Sequence, residues 1–206
     1  MRASRVDEVR VLLIGGTSHT GKSTVARAAA ERLGFTYRPT DLLARHPGRP
    51  WRTPDREVPP HVAEHYGSLG DDELIDSVLD HYARLWPRIE ELITAHAEGG
   101  GPGLVLEGSA LWPSRVAALG APHTEAVWLT ADDEALAERM HASARYAEAS
   151  AEERHLVDRF LARARRFQEL VQESVDAAGL CRVDTTGRSV TDLVEEILGR
   201  RCRQGP

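Results

Sequence analysis

Apolar positions along the chain fall into short continuous runs that alternate with helical stripes. Apart from Arg10, Val9 to Ile14 is apolar and partly β-branched, and it is stopped by Gly15 and Gly16, the pattern of a strand buried on both faces. From Lys22 to Leu33, Val25, Ala26, Ala29, Ala30 and Leu33 recur at helical spacing and Gly34 ends the segment. Phe35 to Arg38 predicts a second strand, followed by Pro39, Thr40 and Asp41 and a short helix from Leu42 to Arg45. Five prolines between His46 and Pro60 predict an irregular loop. Asp71 to His96 carries a broad apolar helical face from Leu74 to Ile93, and Pro87 predicts a kink within it.

Beyond the Gly99–Gly103 turn, Leu104 to Leu106 forms a third strand that ends on Glu107 and Gly108, and Ala126 to Leu129 forms a fourth. Helices are predicted over Ala131–Met140, opened by Asp132, Asp133 and Glu134, and over Ala151–Ala178. A fifth strand, Cys181 to Val183, leads through Asp184–Thr185–Thr186–Gly187 to a last helix over Val190–Leu198. Strands alternating with helices imply an α/β fold, a parallel sheet covered on both faces. The pattern gives one domain over 1–199 and a flexible tail over 200–206.

The 206 residues carry a formal charge of −6, which weighs against a protein that coats nucleic acid. Cys181 and Cys202 have neither the number nor the spacing of a disulfide framework or zinc site, so a reduced, cytoplasmic protein is expected. No apolar run near the N-terminus is long enough for a membrane span or a secretory signal. Of the 26 basic residues only Lys22 is a lysine, so chemistry that requires an ammonium has one place to occur.

Lys22 lies inside Gly16-Thr17-Ser18-His19-Thr20-Gly21-Lys22-Ser23, a complete G-x-x-x-x-G-K-[ST] phosphate loop between the first strand and the first helix. A shuffled chain of this composition contains that motif roughly once in a thousand. At a helix N-terminus the amide groups and the positive dipole end face an anion. Gly16 and Gly21 let the backbone wrap phosphates, and the amides from Thr20 to Thr24 donate to their oxygens. Lys22 is placed for the β and γ phosphates, Ser23 for Mg²⁺ and Thr24 for the α-phosphate. A guanine-reading N-K-x-D motif needs a second lysine, so ATP is the expected nucleotide.

Together with Asp41, Leu-Val-Leu-Glu-Gly (104–108) and Val-Asp-Thr-Thr-Gly (183–187), this loop resembles the P-loop kinases of small metabolites. These include the nucleoside-monophosphate, shikimate and gluconate kinases and chloramphenicol phosphotransferase, and the likeness is greatest to 2-phosphoglycerate-kinase-like proteins. The resemblance implies a five-stranded parallel sheet of order 2-3-1-4-5. It also implies an acceptor-binding insert over about 42–98 and a lid over about 139–166. It makes the chain an ATP- and Mg²⁺-dependent phosphotransferase acting on an alcohol group of a small polar or anionic metabolite.

Under that resemblance Asp41 accepts the acceptor's proton and helps Ser23 hold Mg²⁺. An N-cap for the following helix is its structural alternative. Glu107 binds Mg²⁺ through water or shares the base role, against a turn-capping alternative. Arg139 and Arg145 are the lid's phosphate-binding candidates, and most arginines between Arg154 and Arg166 read as a solvated face. Asp184 and Thr186 flank the place where the family wraps adenine, or simply make a turn. Arg49, Arg52, Arg56 and Tyr66 are the acceptor-binding candidates, with Trp51 packed over the core. A 5′-hydroxyl kinase of nucleotides or polynucleotides and a non-catalytic ATP-binding regulator share the motif, and a monomer or homodimer fits either.

Overall fold

A computed structural model describes residues 9–44, 48–53 and 57–199. Arg45, Arg56, Cys202 and the 200–206 tail therefore lie outside the described residues. Five parallel strands, β1 (Val11–Gly16), β2 (Thr36–Pro39), β3 (Leu104–Glu107), β4 (Thr124–Thr130) and β5 (Cys181–Asp184), stand in the order 2-3-1-4-5. β1 is central and buried along its whole length, which is why its run is apolar without alternation.

Helices α1 (Lys22–Leu33) and α7 (Val190–Gly199) cover one face, packing Val25, Ala29, Leu193 and Ile197 against Leu12, Ile14, Val105 and Val127. On the other face, α3 (Asp71–Glu98), α4 (Pro113–Leu119) and α6 (Ala151–Ala177) bury Ile89, Ile93, Val116, Phe167 and Val171 against Val11, Leu13, Leu104 and Trp128. The ring of Trp128 fills the space beside Gly15, where any Cβ would strike the indole, and its Nε1 donates to the carbonyl of Leu111. α3 runs unbroken through Pro87.

A third cluster sits beyond the strand ends and away from the sheet. Here α2 (Pro60–Ser68), α5 (Asp133–Ala144), the first half of α6 and the loop at Trp51 enclose Val62, Tyr66, Leu136, Met140, Val157 and Phe160. α2 and α4 were not expected from the pattern. Each is short and opens on a proline, which reads as a loop signal in sequence but occupies the first helical turn here. The expected helix after Asp41 is a single 3-10 turn, Thr40–Leu42.

Cys181 is disulfide-bonded, against the expectation of reduced thiols. No helix among the described residues is long and apolar enough to cross a membrane.

Candidate active site

The phosphate loop connects β1 to α1 and is held by its own backbone. Gly16 has φ of 130° and lies so close to the carbonyl of Leu129 that a Cβ would overlap it, and Gly21 enters α1 with φ of 87°. No side chain caps the N-terminus of α1, so its amides face the concavity of the loop. Thr20 Oγ1 donates to Thr17 O at 3.0 Å, and Thr17 Oγ1 donates to Ala164 O at 2.9 Å, tying the loop to α6.

Lys22 is 8% exposed and its Nζ donates to Thr17 O at 2.6 Å. Burial lowers its pKa, and the carboxylates of Glu107 and Asp41 oppose that shift. Ser23 and Thr24 remain exposed on the open side.

Glu107 is buried at the end of β3, where its Oε1 accepts from Ser23 Oγ at 2.8 Å and from Tyr37 OH at 2.9 Å. The turn-capping alternative is thereby replaced by a direct link to the phosphate loop. Tyr37 was missed in the sequence, although its alternation with Pro39 along β2, which pairs with Glu107, aims it at this carboxylate. A hydroxyl and carboxylates beside an anion cradle are the oxygen donors Mg²⁺ takes when phosphates complete its shell.

Asp41 sits in the 3-10 turn after β2, which no side chain caps, so the N-cap alternative does not hold. Arg88 Nη1 donates to Leu43 O at 2.7 Å, and Leu43 packs on the α3 side of the core, fixing the turn. From there the charge of Asp41 acts on Lys22, His81 and Tyr82.

Arg139, on α5, joins two loops at the same edge of the sheet. Its Nη1 donates to His19 O at 3.3 Å and to Thr185 Oγ1 at 3.0 Å, and its Nη2 to Thr185 O at 3.1 Å. Thr185, rather than its neighbours, is the buried member of the last turn, and its hydroxyl also donates to Thr130 O at 3.0 Å. Asp184 accepts from Thr186 N at 2.7 Å and Thr186 Oγ1 accepts from Asp132 N at 3.0 Å, so both side chains shape the turn itself.

His19 has φ of 65°, and its ring nitrogens are buried without hydrogen-bond partners among the described residues. The ring lies 5.8 Å from Trp51 and 6.4 Å from Phe160. Burial, then the charges of Arg49, Lys22 and Arg139, holds its pKa down to about 4. The phosphate loop thus packs directly on the third cluster, and Trp51 is buried there as expected.

The acceptor candidates separate. Arg52 and Arg145 border one cavity of about 380 Å³ with Trp51 and Glu153. Arg52 also pairs with Glu153 at 3.3 Å. Arg49 is exposed and lies 5.8 Å over the Trp51 ring. Tyr66 is fully buried, with its ring 5.6 Å from Phe160 and its hydroxyl accepting from Arg163 Nη1 at 2.6 Å, so it forms the floor of the insert rather than an open wall.

The arginines of α6 are less solvated than their spacing implied. Arg159 ties Asp71 at 2.7 Å and also bonds Leu69 O, Arg165 reaches Asp133, and only Arg166 pairs along its own helix, with Glu169. Arg163 is 7% exposed, on the stripe of Phe160 and Phe167, a spacing of three and four that marks it as inward in the sequence.

Comparison with known proteins agrees with this architecture. A family model described as "AAA domain" matches residues 12–159. The solved structure of a gluconokinase from Sinorhizobium meliloti 1021 is 22% identical, over 92% of this chain and 89% of that one, with a TM-score of 0.52. A sugar kinase from Janibacter sp. HTCC2649 is 16% identical over 93% of each chain, with a TM-score of 0.51. No curated protein matches the sequence. The strand order 2-3-1-4-5, the complete phosphate loop and the family match over most of the chain agree, and the chain belongs to the AAA-domain family of P-loop proteins, with the fold of the small-molecule P-loop kinases.

Proposed function

We propose that the protein is an ATP-dependent kinase that transfers the γ-phosphoryl group to a hydroxyl of a small polar or anionic metabolite. The observation that carries this reading is the convergence at one sheet edge of a buried ammonium, a hydroxyl–carboxylate pair and a carboxylate that caps no helix. The amides at the start of α1 and Lys22 hold the β and γ phosphates, and Thr24 stands beside the α-phosphate. Bound Mg²⁺ supplies neutralisation of the phosphate oxygens, and Ser23, Asp41 and Glu107 are the residues that would hold it. Arg139 bridges the loop and the last turn on the side assigned to the nucleotide base, and Arg145 belongs to the lid.

In the transfer, the acceptor oxygen forms a bond to the γ-phosphorus and the bond to the β–γ bridging oxygen breaks. The acceptor's proton passes to the carboxylate of Asp41 and ADP leaves. Little covalent chemistry falls to the protein, so positioning and charge stabilisation by Lys22 and the loop amides supply most of the acceleration.

The test is ADP formation from ATP and Mg²⁺ against two panels, hydroxylated metabolites and oligonucleotides with a 5′-hydroxyl. Acceptor-dependent ADP from the first panel alone is expected. ATP binding with no acceptor-dependent ADP from either panel would identify a nucleotide-binding regulator instead.

A further inference from the structure

The chain buries two cations beside this edge, and they are not equally provided for. Lys22 lies against a backbone carbonyl with two carboxylates acting on it. Arg163, equally buried, donates to the neutral phenol of Tyr66 and stacks on its ring and that of Phe160, 5.3 and 4.4 Å away. Among the described residues no carboxylate lies within ion-pair distance of it. A buried charge without a counter-ion is costly, and a guanidinium has five donors, of which one phenol hydroxyl uses one.

The remaining donors have somewhere to point. Arg163 borders a cavity of about 360 Å³ between α2, α3 and α6, shared with His65, Ser77, Asp80, His81 and Arg84. Among the described residues the only acid on that wall is Asp80, which is paired with Arg84 at 3.6 Å. This cavity is close to the chemistry on two sides. The residue after Arg163 accepts the hydrogen bond from Thr17 of the phosphate loop, and His81 and Tyr82 lie within the field of Asp41.

We propose that this cavity, rather than the one at Arg52, receives the phosphoryl acceptor, and that Arg163 pairs with a carboxylate or phosphate group on that molecule while its hydroxyl faces Asp41. The acceptor class is a small hydroxylated anion. Two anionic substrates are then held by two buried cations, with Asp41 between them. A planar fork suits either oxyanion bidentately, which explains an arginine here and a lysine in the loop. The inference rests on the kinase reading for the word acceptor, but not for the anion site itself.

Binding therefore tests it without turnover. With the phosphate loop saturated by ADP and Mg²⁺, thermal unfolding is followed against glycerol, glycerate and glycerol 3-phosphate in the wild type and in Arg163→Met and Arg163→Lys. Saturable stabilisation by glycerate or glycerol 3-phosphate but not by glycerol is expected, and which anion acts separates a hydroxy acid from a phosphorylated alcohol. Arg163→Met should weaken that midpoint by about ten- to hundredfold, and Arg163→Lys by less. Without ligand, Arg163→Met should be as stable as the wild type or more so, because it removes a buried unpaired charge, and this also reports that the variant folds. Equal responses to all three compounds, or an Arg163→Met response equal to that of the wild type, would overturn the anion site. Anion binding without acceptor-dependent ADP would count against the kinase reading alone.

Discussion

The phosphate loop and the insert meet at His19, yet they are built on opposite principles. The loop is a main-chain cradle, shaped by glycines at φ of 130° and 87° and pinned by the Thr20 hydroxyl and the Lys22 ammonium on Thr17 O. Where the insert packs on α6, side chain is held against side chain, with Trp51 and Phe160 centroids 5.0 Å apart and the Arg163 guanidinium stacked on the rings of Tyr66 and Phe160. A main-chain cradle recognises phosphate in any nucleotide, because its amides are present whatever the side chains are. A side-chain pocket can change its ligand by changing a residue. On the proposed kinase reading, the difference separates a constant phosphoryl donor from a variable acceptor.

That contrast can be tested from the largest effect down. Lys22→Ala removes the loop's only side-chain charge and should lower ATP turnover by about a thousandfold or more, measured as initial ADP release. Normal turnover would refute the role of the loop altogether. Phe160→Ala opens the aromatic cluster and should cost about 3–5 kcal/mol in denaturant unfolding, the scale for a fully buried aromatic, because the cluster is packed like a core rather than a loop. A cost under 1 kcal/mol would mean that the insert is loosely associated.

The seam between the two regions carries a pH signature. His19 is held at about 4, below its ordinary 6.5, so the native state disfavours protonation there. Its contribution is fully present above pH 6.5 and is lost as the pH falls towards 4, by at most about 3 kcal/mol. His19→Asn, which tolerates the positive φ, should lose less stability over that window, and an unchanged pH profile would contradict the burial of the ring. The smallest effect belongs to Arg52→Ala. Its pair with Glu153 is exposed, and about 0.5 kcal/mol or less is expected by chemical denaturation.

The two regions were also unequally legible in the sequence. The strands and the phosphate loop could be read in advance because each depends on local pattern, an apolar run or two glycines and the sole lysine at fixed spacing, whereas the strand order came only from the family resemblance that those motifs carry. Glu107 stood out as an acid ending an apolar strand, though its bond to Ser23, 84 positions away, did not. The insert resisted because its residues act through contacts distant in the chain. Tyr66 and Arg163 are 97 positions apart, so neither one's sequence neighbours announce the pair. Arg163 was masked by the charged residues around it, while Tyr66 looked available because aromatics near a loop can be either wall or floor. Thr185 was passed over for Asp184 and Thr186, since only packing shows which residue of a turn points inward.

In the proposed mechanism Asp41 takes the acceptor's proton while the loop holds the nucleotide independently of it. The direct measurement compares ATP affinity and acceptor-dependent ADP formation in the wild type and Asp41→Asn. Affinity within a few-fold and transfer reduced by about a hundredfold or more, the scale of general-base catalysis, are expected. Transfer at the wild-type rate in Asp41→Asn would contradict that mechanism and move the base to Glu107.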